Sequence, residues 1–170
     1  QLREKDIPDD QFLAMAAELR ELTDETETIF IVNDRADIAA IVGADGVHLG
    51  QHDLPVAEAR RLLRPGAIIG RSTHDIAQAS AAVNEGADYI AVGAMFPTDT
   101  KEGGPVAGPE LLREASEKIP LPIVPIGGIT PENVSQLVAV GARRVAVCAA
   151  VCGSPDARAA SEAIRQALPD

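Results

Sequence analysis

Two aspartates follow short apolar runs, at positions where they could bind a metal ion. Asp34 comes directly after "IFIVN", and Asp53 comes shortly after "GVHLGQ". One or two carboxylates together with a diphosphate make a typical ligand set for Mg²⁺ in proteins. Capping of the helices that follow explains both residues equally well, because Asp is a favoured N-cap. The spacing alone leaves magnesium binding and capping as open alternatives.

The first residues, "QLREK", carry an amide and two cations. Gln1, Arg3 and Lys5 alternate along the chain, so a continuous strand would turn all three side chains to the same side. Cationic side chains and an amide on one side suit an anionic ligand. A solvated chain end is the alternative.

The segment "FPTDTKEGGP", Phe96–Pro105, concentrates hydrogen-bond donors in one loop. Thr98 and Thr100 offer hydroxyl groups, Lys101 offers a positive charge, and the Gly-Gly pair gives the loop freedom to move. The pattern is typical of a lid that holds a phosphate or diphosphate and excludes water. A solvated loop is the alternative.

A Gly-Gly pair in "PIGGIT" lies between an apolar strand and a helical pattern. At Gly127 and Gly128 the backbone N–H groups could approach a phosphate closely, and the start of the next helix favours negative charge. A tight turn without a ligand explains the same residues.

The three histidines differ in how well they suit acid–base catalysis. His48 lies inside "GVHL" and is more typical of a packed residue than of a catalyst. His74 ends "GRSTH" and is the better acid–base candidate, while His52 is expected to face solvent. Cys148 and Cys152 lie in or beside an apolar run without a nearby His or third Cys, which favours buried structural thiols over a zinc site.

Composition narrows the class of protein. The chain has 170 residues and a formal net charge of -11, which argues against nucleic acid or an anionic membrane surface as a partner. It contains no apolar run near the roughly 20 residues that a spanning helix needs. We expect one cytoplasmic domain, residues 1–170, and the net charge does not exclude a small anionic ligand.

Six short apolar runs are expected to be the buried parallel strands that position these residues. They are "IFIV", "GVHL", "AIIG", "YIAV", "PIVPI" and "RVAV". Amphipathic patterns separate them: "DDQFLAMAAELREL" places Phe12 and Ala16 on one face, and "TPENVSQLVAVG" suggests Thr130 as an N-cap. Thr73 and Asp75 are alternative caps for "DIAQASAAVNEG".

A recurring frame links the helices to the strands. "VGADGVHL", "EGADYIAV" and "VGARRVAV" each place Gly-Ala about three residues before a strand, as expected where a Gly ends a helix. Alternating β and α elements predict an α/β fold with a parallel sheet. Because the polar residues follow several different strands, a closed barrel is favoured over a doubly wound sheet.

Six strings, taken in order, resemble the thiamine phosphate synthases. They are "QLREK", "IVNDR", "GADGVHLGQHDLP", "IIGRSTH", "GADYIAVGAMFPTDTK" and "PIGGITPEN", and they span nearly the whole chain. The resemblance implies a TIM-type (β/α)8 barrel and a Mg²⁺-dependent reaction. In that reaction hydroxymethylpyrimidine diphosphate joins a thiazole phosphate, giving thiamine phosphate and pyrophosphate.

The resemblance also implies roles for individual residues. It implies that Asp34 and Asp53 hold Mg²⁺ and that Gln1 and Ser72 orient the pyrimidine and its leaving group. The residues expected to contact the diphosphate are Arg3, Lys5, Asn33 and Lys101, and those expected to act in catalysis are Arg3, Lys5, Ser72 and Lys101. Those expected around the thiazole phosphate are Thr98, Thr100, Gly127, Gly128, Cys148 and Ala149.

Two departures from the family pattern stand out. The family usually has Ser where Ala149 stands, so only a backbone contact to phosphate is expected there. The chain also opens inside what would be the second strand, so the expectation is a barrel domain without its first β-α unit. A homodimer is expected from the resemblance alone.

Two other functions fit parts of the same pattern. Thiazole tautomerases resemble the same fold and would use His74 as the acid–base group, but they need no magnesium. A phosphate-binding barrel without activity is the second alternative. The segments "GQHD" and "PTDTK" fit the synthase better than either.

Overall fold

The computed structural model describes residues 1–98 and 106–169, which form two compact units. Unit 1 comprises residues 1–72 and 84–89, and unit 2 comprises residues 73–83 and the described residues from 90 onward. Five strands, β1 (Ile31–Asn33), β2 (Gly46–Leu49), β3 (Ile68–Thr73), β4 (Tyr89–Val92) and β5 (Ile123–Pro125), belong to a sheet in that order. The pairs β1–β2, β2–β3 and β4–β5 are parallel. The α/β class with a parallel sheet is confirmed.

Unit 1 begins with a single bridge between Leu2 and Val32. Its elements are α1 (Asp9–Asp24), β1 (Ile31–Asn33), α2 (Ala36–Val42), β2 (Gly46–Leu49), α3 (Val56–Leu62) and β3 (Ile68–Thr73, of which Thr73 falls in unit 2). The strands bury Val32, Val47, Leu49 and Ile69, as expected for a parallel sheet covered by helices.

Local patterns explain the helices of unit 1. In α1 the buried residues are Phe12 and Ala16, one turn apart, as their spacing predicted. Helix α2 ends at Val42 and is capped by Gly43, which has a φ of 64°. This left-handed conformation favours Gly and lets β2 begin three residues later.

Unit 2 contains most of α4 (Ile76–Asn84) and of β4 (Tyr89–Val92). It continues with α5 (Gly108–Lys118), β5 (Ile123–Pro125), α6 (Val134–Val138), α7 (Ala149–Cys152) and α8 (Ala157–Ala167). Asp75 is the cap near the start of α4, because its Oδ1 accepts a hydrogen bond from Gln78 N at 2.8 Å. Thr73 instead donates its hydroxyl to Ala91 O inside the sheet.

Two expected elements differ from the structure. The run "RVAV" forms one parallel bridge, Ile126 to Ala146, rather than a full strand. Pairing at the end of a ladder is often this short, because an edge segment bonds on one side only. Helix α6 begins at Val134 and not after Thr130, because the Asn133 side chain holds residues 131–133 in a turn.

No helix in the described part of the chain is long and apolar enough to cross a membrane.

Candidate active site

Asp34 stands directly after β1 in an unusual backbone conformation. Its φ is 62°, and it is the non-glycine residue with positive φ among those described. Asp tolerates this region better than most residues because its short side chain can bond locally. The Asp34 N–H donates to His48 O at 2.8 Å, which ties the end of β1 to β2.

A second carboxylate, that of Asp53, lies next to Asp34. Burial raises the pKa of Asp34 above its usual range, and the hydrogen bond with Asp53 and the negative charge of Asp53 raise it further. The positive charges of Lys5 and Arg3 oppose the increase. Two carboxylates in contact repel when both are ionised, so the pair favours a shared proton or a bound cation.

The Asp53 carboxylate is held by the backbone of its own turn. Gly50 N–H donates to Asp53 Oδ2 at 2.6 Å. Neither aspartate caps a helix: the N-caps of α2 and α3 are Arg35 and Pro55. The capping alternative is therefore wrong for both aspartates.

Lys5 and Arg3 place positive charge beside the carboxylates. Lys5 Nζ lies 3.7 Å from Asp34 Oδ2, and the Lys5 side chain is 56% exposed. The strand does not continue through Lys5, because pairing stops at Leu2 and the chain then bends, so the condition for Gln1, Arg3 and Lys5 to share one side is not met. Both cations nevertheless act on Asp34. Gln1 is exposed at the start of the chain.

The donor set fits a magnesium ion that shares its coordination with a phosphate. Asp34 and Asp53 supply carboxylate oxygens, and no larger cluster of His, Cys, Asp and Glu occurs among residues 1–98 and 106–169. Mg²⁺ commonly takes one or two carboxylates and completes its shell with water and substrate phosphate oxygens. Asn33, buried at the end of β1, precedes this pair.

Ser72 belongs to a buried polar chain that crosses unit 1. Its hydroxyl lies 2.9 Å from His48 Nε2, and His48 Nδ1 lies 2.9 Å from the Tyr89 hydroxyl. Gln51 Nε2 donates to the Ser72 carbonyl at 2.6 Å. The expectation that His48 is a packed residue is confirmed, since it is 6% exposed.

The Gly-Gly turn of unit 2 packs closely against the segment after β4. Gly127 and Gly128 have φ values of 101° and 64°, and a Cβ at Gly127 would lie 2.7 Å from Ala94 Cβ. A Cβ at Gly128 would meet Phe96 and Pro97. Asn133 closes the turn, because its amide donates to Gly128 O at 2.8 Å and accepts from Thr130 N at 2.9 Å.

The two cysteines are exposed, so the expectation of buried thiols is wrong. The apolar run that contains them does not form one buried element. Cys148 precedes α7, and none of the four residues of α7 is buried. Ala149 is exposed at the first position of that helix. Because Ile126 and Ala146 form a parallel bridge, the residues after each lie at the same edge.

Of the remaining candidate residues, the structure describes Thr98 and His74 only. Thr98 is described and has at least one interaction, whereas Thr100 and Lys101 lie outside the described residues. His74 is exposed, and its Nδ1 lies 2.7 Å from Gly93 O. A carbonyl oxygen can only accept, so Nδ1 carries the proton and Nε2 is left as the acceptor in the neutral ring.

Sequence reasoning missed Tyr89, Gln51 and Asn133. Tyr89 is the single tyrosine of the chain, which could have drawn attention to it. Asn133 lies in "TPEN", where a side chain able to cap a turn was available. Nothing in the local pattern indicated that Gln51 reaches Ser72.

Nearly the whole chain is similar in sequence to known proteins. A family model described as thiamine monophosphate synthase matches residues 1–151. The thiamine-phosphate synthase of Methanoculleus marisnigri is 47% identical over 169 residues, covering 99% of this chain and 80% of the relative.

Solved structures agree with this likeness. The thiamine phosphate pyrophosphorylase from Pyrococcus furiosus superimposes with a TM-score of 0.89 and 39% identity, covering 97% of this chain and 79% of that protein. The 3-hexulose-6-phosphate synthase from Salmonella typhimurium has a TM-score of 0.74 with 17% identity, over 92% of this chain and 80% of its own. That second likeness concerns the fold alone.

Proposed function

Because the chain belongs to the thiamine monophosphate synthase family, we propose that it joins a pyrimidine diphosphate to a thiazole phosphate, forming thiamine phosphate and pyrophosphate. The C–O bond between the pyrimidine methylene and the diphosphate breaks, and its electron pair leaves with pyrophosphate. The thiazole nitrogen supplies the pair for the new C–N bond. No proton has to move for these two bonds to exchange.

The contact of Asp34 with Asp53 beside Lys5 and Arg3 is the single observation that carries this proposal. We assign Asp34 and Asp53 to Mg²⁺, which when bound stabilises the charge that develops on the leaving diphosphate. Cations around a leaving group favour the transition state more than the ground state. The residues proposed to bind the diphosphate are Arg3, Lys5, Asn33 and Lys101.

Gln1 and Ser72 are proposed to orient the pyrimidine and its leaving group. Ser72 is suited to this role because it is 8% exposed and its hydroxyl is held by His48. A buried side chain with a fixed partner loses little further freedom when a ligand binds.

The thiazole phosphate is proposed to bind through residues of unit 2. Thr98 and Thr100 are assigned to the thiazole, and backbone N–H groups at Gly127, Gly128, Cys148 and Ala149 to its phosphate. The close packing that requires Gly at 127 and 128 supports a preorganised turn. Preorganised backbone donors bind an anion without reorganisation.

An assay for thiamine phosphate tests this function directly. The protein is mixed with hydroxymethylpyrimidine diphosphate, thiazole phosphate and Mg²⁺, and the product is measured by its fluorescent oxidation product. We expect product that requires magnesium and is lost in Asp34→Ala. Absence of product from folded protein would overturn the proposal.

The same preparations separate the alternatives. A thiazole tautomerase would depend on His74, so tautomerase activity would be kept in Asp34→Ala and lost in His74→Ala. A phosphate-binding barrel would bind pyrophosphate in calorimetry and turn over neither substrate set. The synthase should instead tolerate His74→Ala far better than Asp34→Ala.

Three expectations about the setting of the enzyme belong to the same proposal. We place it in the cytoplasm, as a homodimer, with small phosphorylated molecules rather than nucleic acid or membranes as partners. The net charge of -11 supports the absence of polyanionic partners. Light scattering on purified protein tests the dimer.

A further inference from the structure

Three side chains that are distant in the sequence form one hydrogen-bonded chain in unit 1. Ser72 Oγ lies 2.9 Å from His48 Nε2, and the Tyr89 hydroxyl lies 2.9 Å from His48 Nδ1. Ser72 and His48 are buried, and the His48 and Tyr89 rings are 5.4 Å apart. Each end of the imidazole is therefore occupied by a hydroxyl group.

A glycine on β3 leaves the space that the hydrogen-bonded series Tyr89–His48–Ser72 occupies. His48 on β2 pairs in register with Gly70 on β3, and side-chain alternation turns Ser72 to the same face as Gly70. A Cβ at Gly70 would collide with the Tyr89 ring and its hydroxyl. The absence of a side chain at Gly70 allows Tyr89 to reach His48 across β3.

The number of protons on His48 determines which group donates in each of these two hydrogen bonds. A neutral imidazole has one N–H donor and one acceptor nitrogen, so one hydroxyl must donate to the ring and the other must accept from it. Among the residues that the structure describes, His48 is the hydrogen-bond partner of the Tyr89 hydroxyl. Tyr89 is mostly buried, so its proton needs an acceptor, and His48 Nδ1 is the acceptor that the described residues place 2.9 Å from the hydroxyl.

The acidity of the two hydroxyl groups favours the same direction. A phenol is a much stronger acid than an aliphatic alcohol, and burial keeps the Tyr89 phenol protonated, with its pKa raised to about 12. Tyr89 therefore donates to Nδ1. The ring proton then resides on Nε2 and is donated to Ser72 Oγ, whose own proton is directed to a third group.

We propose that Tyr89 and His48 are positioning residues that commit the Ser72 hydroxyl to donate a hydrogen bond to an acceptor atom of the pyrimidine substrate. This inference rests on the proposed function, which places that substrate at Ser72. It adds a specificity rule: the bound heterocycle must present a lone pair, such as that of a ring nitrogen, to Ser72. An analogue with an N–H or C–H at that position should bind poorly.

Kinetics of a Tyr89 variant test whether hydrogen bonds are donated from Tyr89 to His48 and from His48 to Ser72. Tyr89→Phe removes the donor to Nδ1 and lets the ring proton move there, so that Ser72 donates to His48 and no longer to substrate. Loss of one such hydrogen bond corresponds to a rise of about 3- to 10-fold in KM for the pyrimidine diphosphate. The KM for the thiazole phosphate should change little.

Two further variants separate positioning from general destabilisation. Thr73→Val removes another buried hydroxyl, the one that donates to Ala91 O, and should lower stability without raising either KM. His48→Gln supplies an amide N–H to Ser72 that does not depend on Tyr89. Adding Tyr89→Phe to His48→Gln should therefore raise KM for the pyrimidine diphosphate little further. An equal rise in both backgrounds would overturn the inference.

Nitrogen NMR tests the proton position without any turnover. The protein is labelled with ¹⁵N-histidine, and the signal of His48 is assigned by its loss in His48→Gln. We expect the proton on Nε2, with Nδ1 as a hydrogen-bonded acceptor that changes in Tyr89→Phe. A proton on Nδ1 in the wild-type protein would refute the proposed direction. This readout stands even if no synthase activity is found, whereas failure of the function itself appears as absent product.

Discussion

Lys5 Nζ lies 3.7 Å from Asp34 Oδ2, across the point where β1 ends. The lysine is half exposed and the aspartate is about a quarter exposed, so solvent partly screens the pair. The contact by itself stabilises the fold little. Its interest is that a cation and two carboxylates meet at the place where we propose that a metal-bound diphosphate binds.

Asp34→Asn should reduce synthase activity by about 100-fold or more, because it removes the charge of a proposed magnesium ligand while keeping the size of the side chain. Turnover is measured at saturating substrate over a range of Mg²⁺ concentrations. Asp75→Asn is the matched control, since Asp75 also follows a strand but caps α4. Equal activity of the two variants would contradict the metal assignment.

Lys5→Gln should raise KM for the pyrimidine diphosphate by about 10-fold or more, the effect of losing a hydrogen bond to a charged group. The KM of the wild type should also rise with ionic strength more steeply than that of the variant, because salt screens an exposed charge. Lys118→Gln is the control, since Lys118 pairs with Glu114 on the surface of α5. The diphosphate role fails if Lys5→Gln and Lys118→Gln have the same KM.

Gly70→Ala should lower the free energy of unfolding by about 1–3 kcal/mol, the usual effect of forcing a methyl group into a packed site. The added Cβ meets the ring of Tyr89. In a Tyr89→Leu background the ring is absent, so Gly70→Ala should be less destabilising there. Chemical unfolding of the four proteins measures the coupling, and strict additivity would show that Tyr89 does not occupy that space.

Tyr89 should make the protein less stable at high pH. Burial raises the pKa of Tyr89 from 10.0 to about 12. Between these values the unfolded chain loses the phenol proton while the folded chain keeps it, so stability falls as pH rises. A difference of about two pKa units corresponds to about 2–3 kcal/mol.

The single tyrosine and the absence of tryptophan make this titration directly visible. Tyrosinate absorbance should appear near pH 12 in the folded protein and near pH 10 in denaturant. Tyr89→Phe should remove the corresponding loss of stability from unfolding curves measured across this range. A phenol that titrates near pH 10 in the folded protein would show that Tyr89 is solvated.

Asn133→Ala should weaken binding of the thiazole phosphate and destabilise unit 2 by about 1–3 kcal/mol, because it leaves Thr130 N and Gly128 O without a partner. The KM for the thiazole phosphate and the unfolding free energy are measured together. Asn84→Ala, at the exposed end of α4, is the control. A change in stability with unchanged KM would remove the Gly-Gly turn from the phosphate site.

Several parts of this fold and site followed from sequence pattern. Strands β2 and β4 coincide with "GVHL" and "YIAV" to the residue, because short, mainly apolar runs of this length are typical of buried parallel strands. Gly43 ends α2 where the recurring Gly-Ala frame placed it. Asp34 and Asp53 were identified as candidates because they follow strands.

Other parts did not follow, since they depend on contacts rather than on local pattern. The choice between a helix cap and a carboxylate pair was open for Asp34 until its contact with Asp53 was known. The buried thiols expected at Cys148 and Cys152 are exposed, because apolar composition does not show which elements cover a segment. The start of α6 depended on one side chain, Asn133.

By itself the sequence determined the alternation of strands and helices and the polar residues that follow the strands, because hydrophobic periodicity and glycine conformations act over a few residues. Only the tertiary structure decided which of those residues meet. His48 and Tyr89 are 41 positions apart and touch because β2 and β3 pair in one register with glycine at position 70. Such a contact requires strand pairing and an empty volume together, and neither is encoded in any short segment.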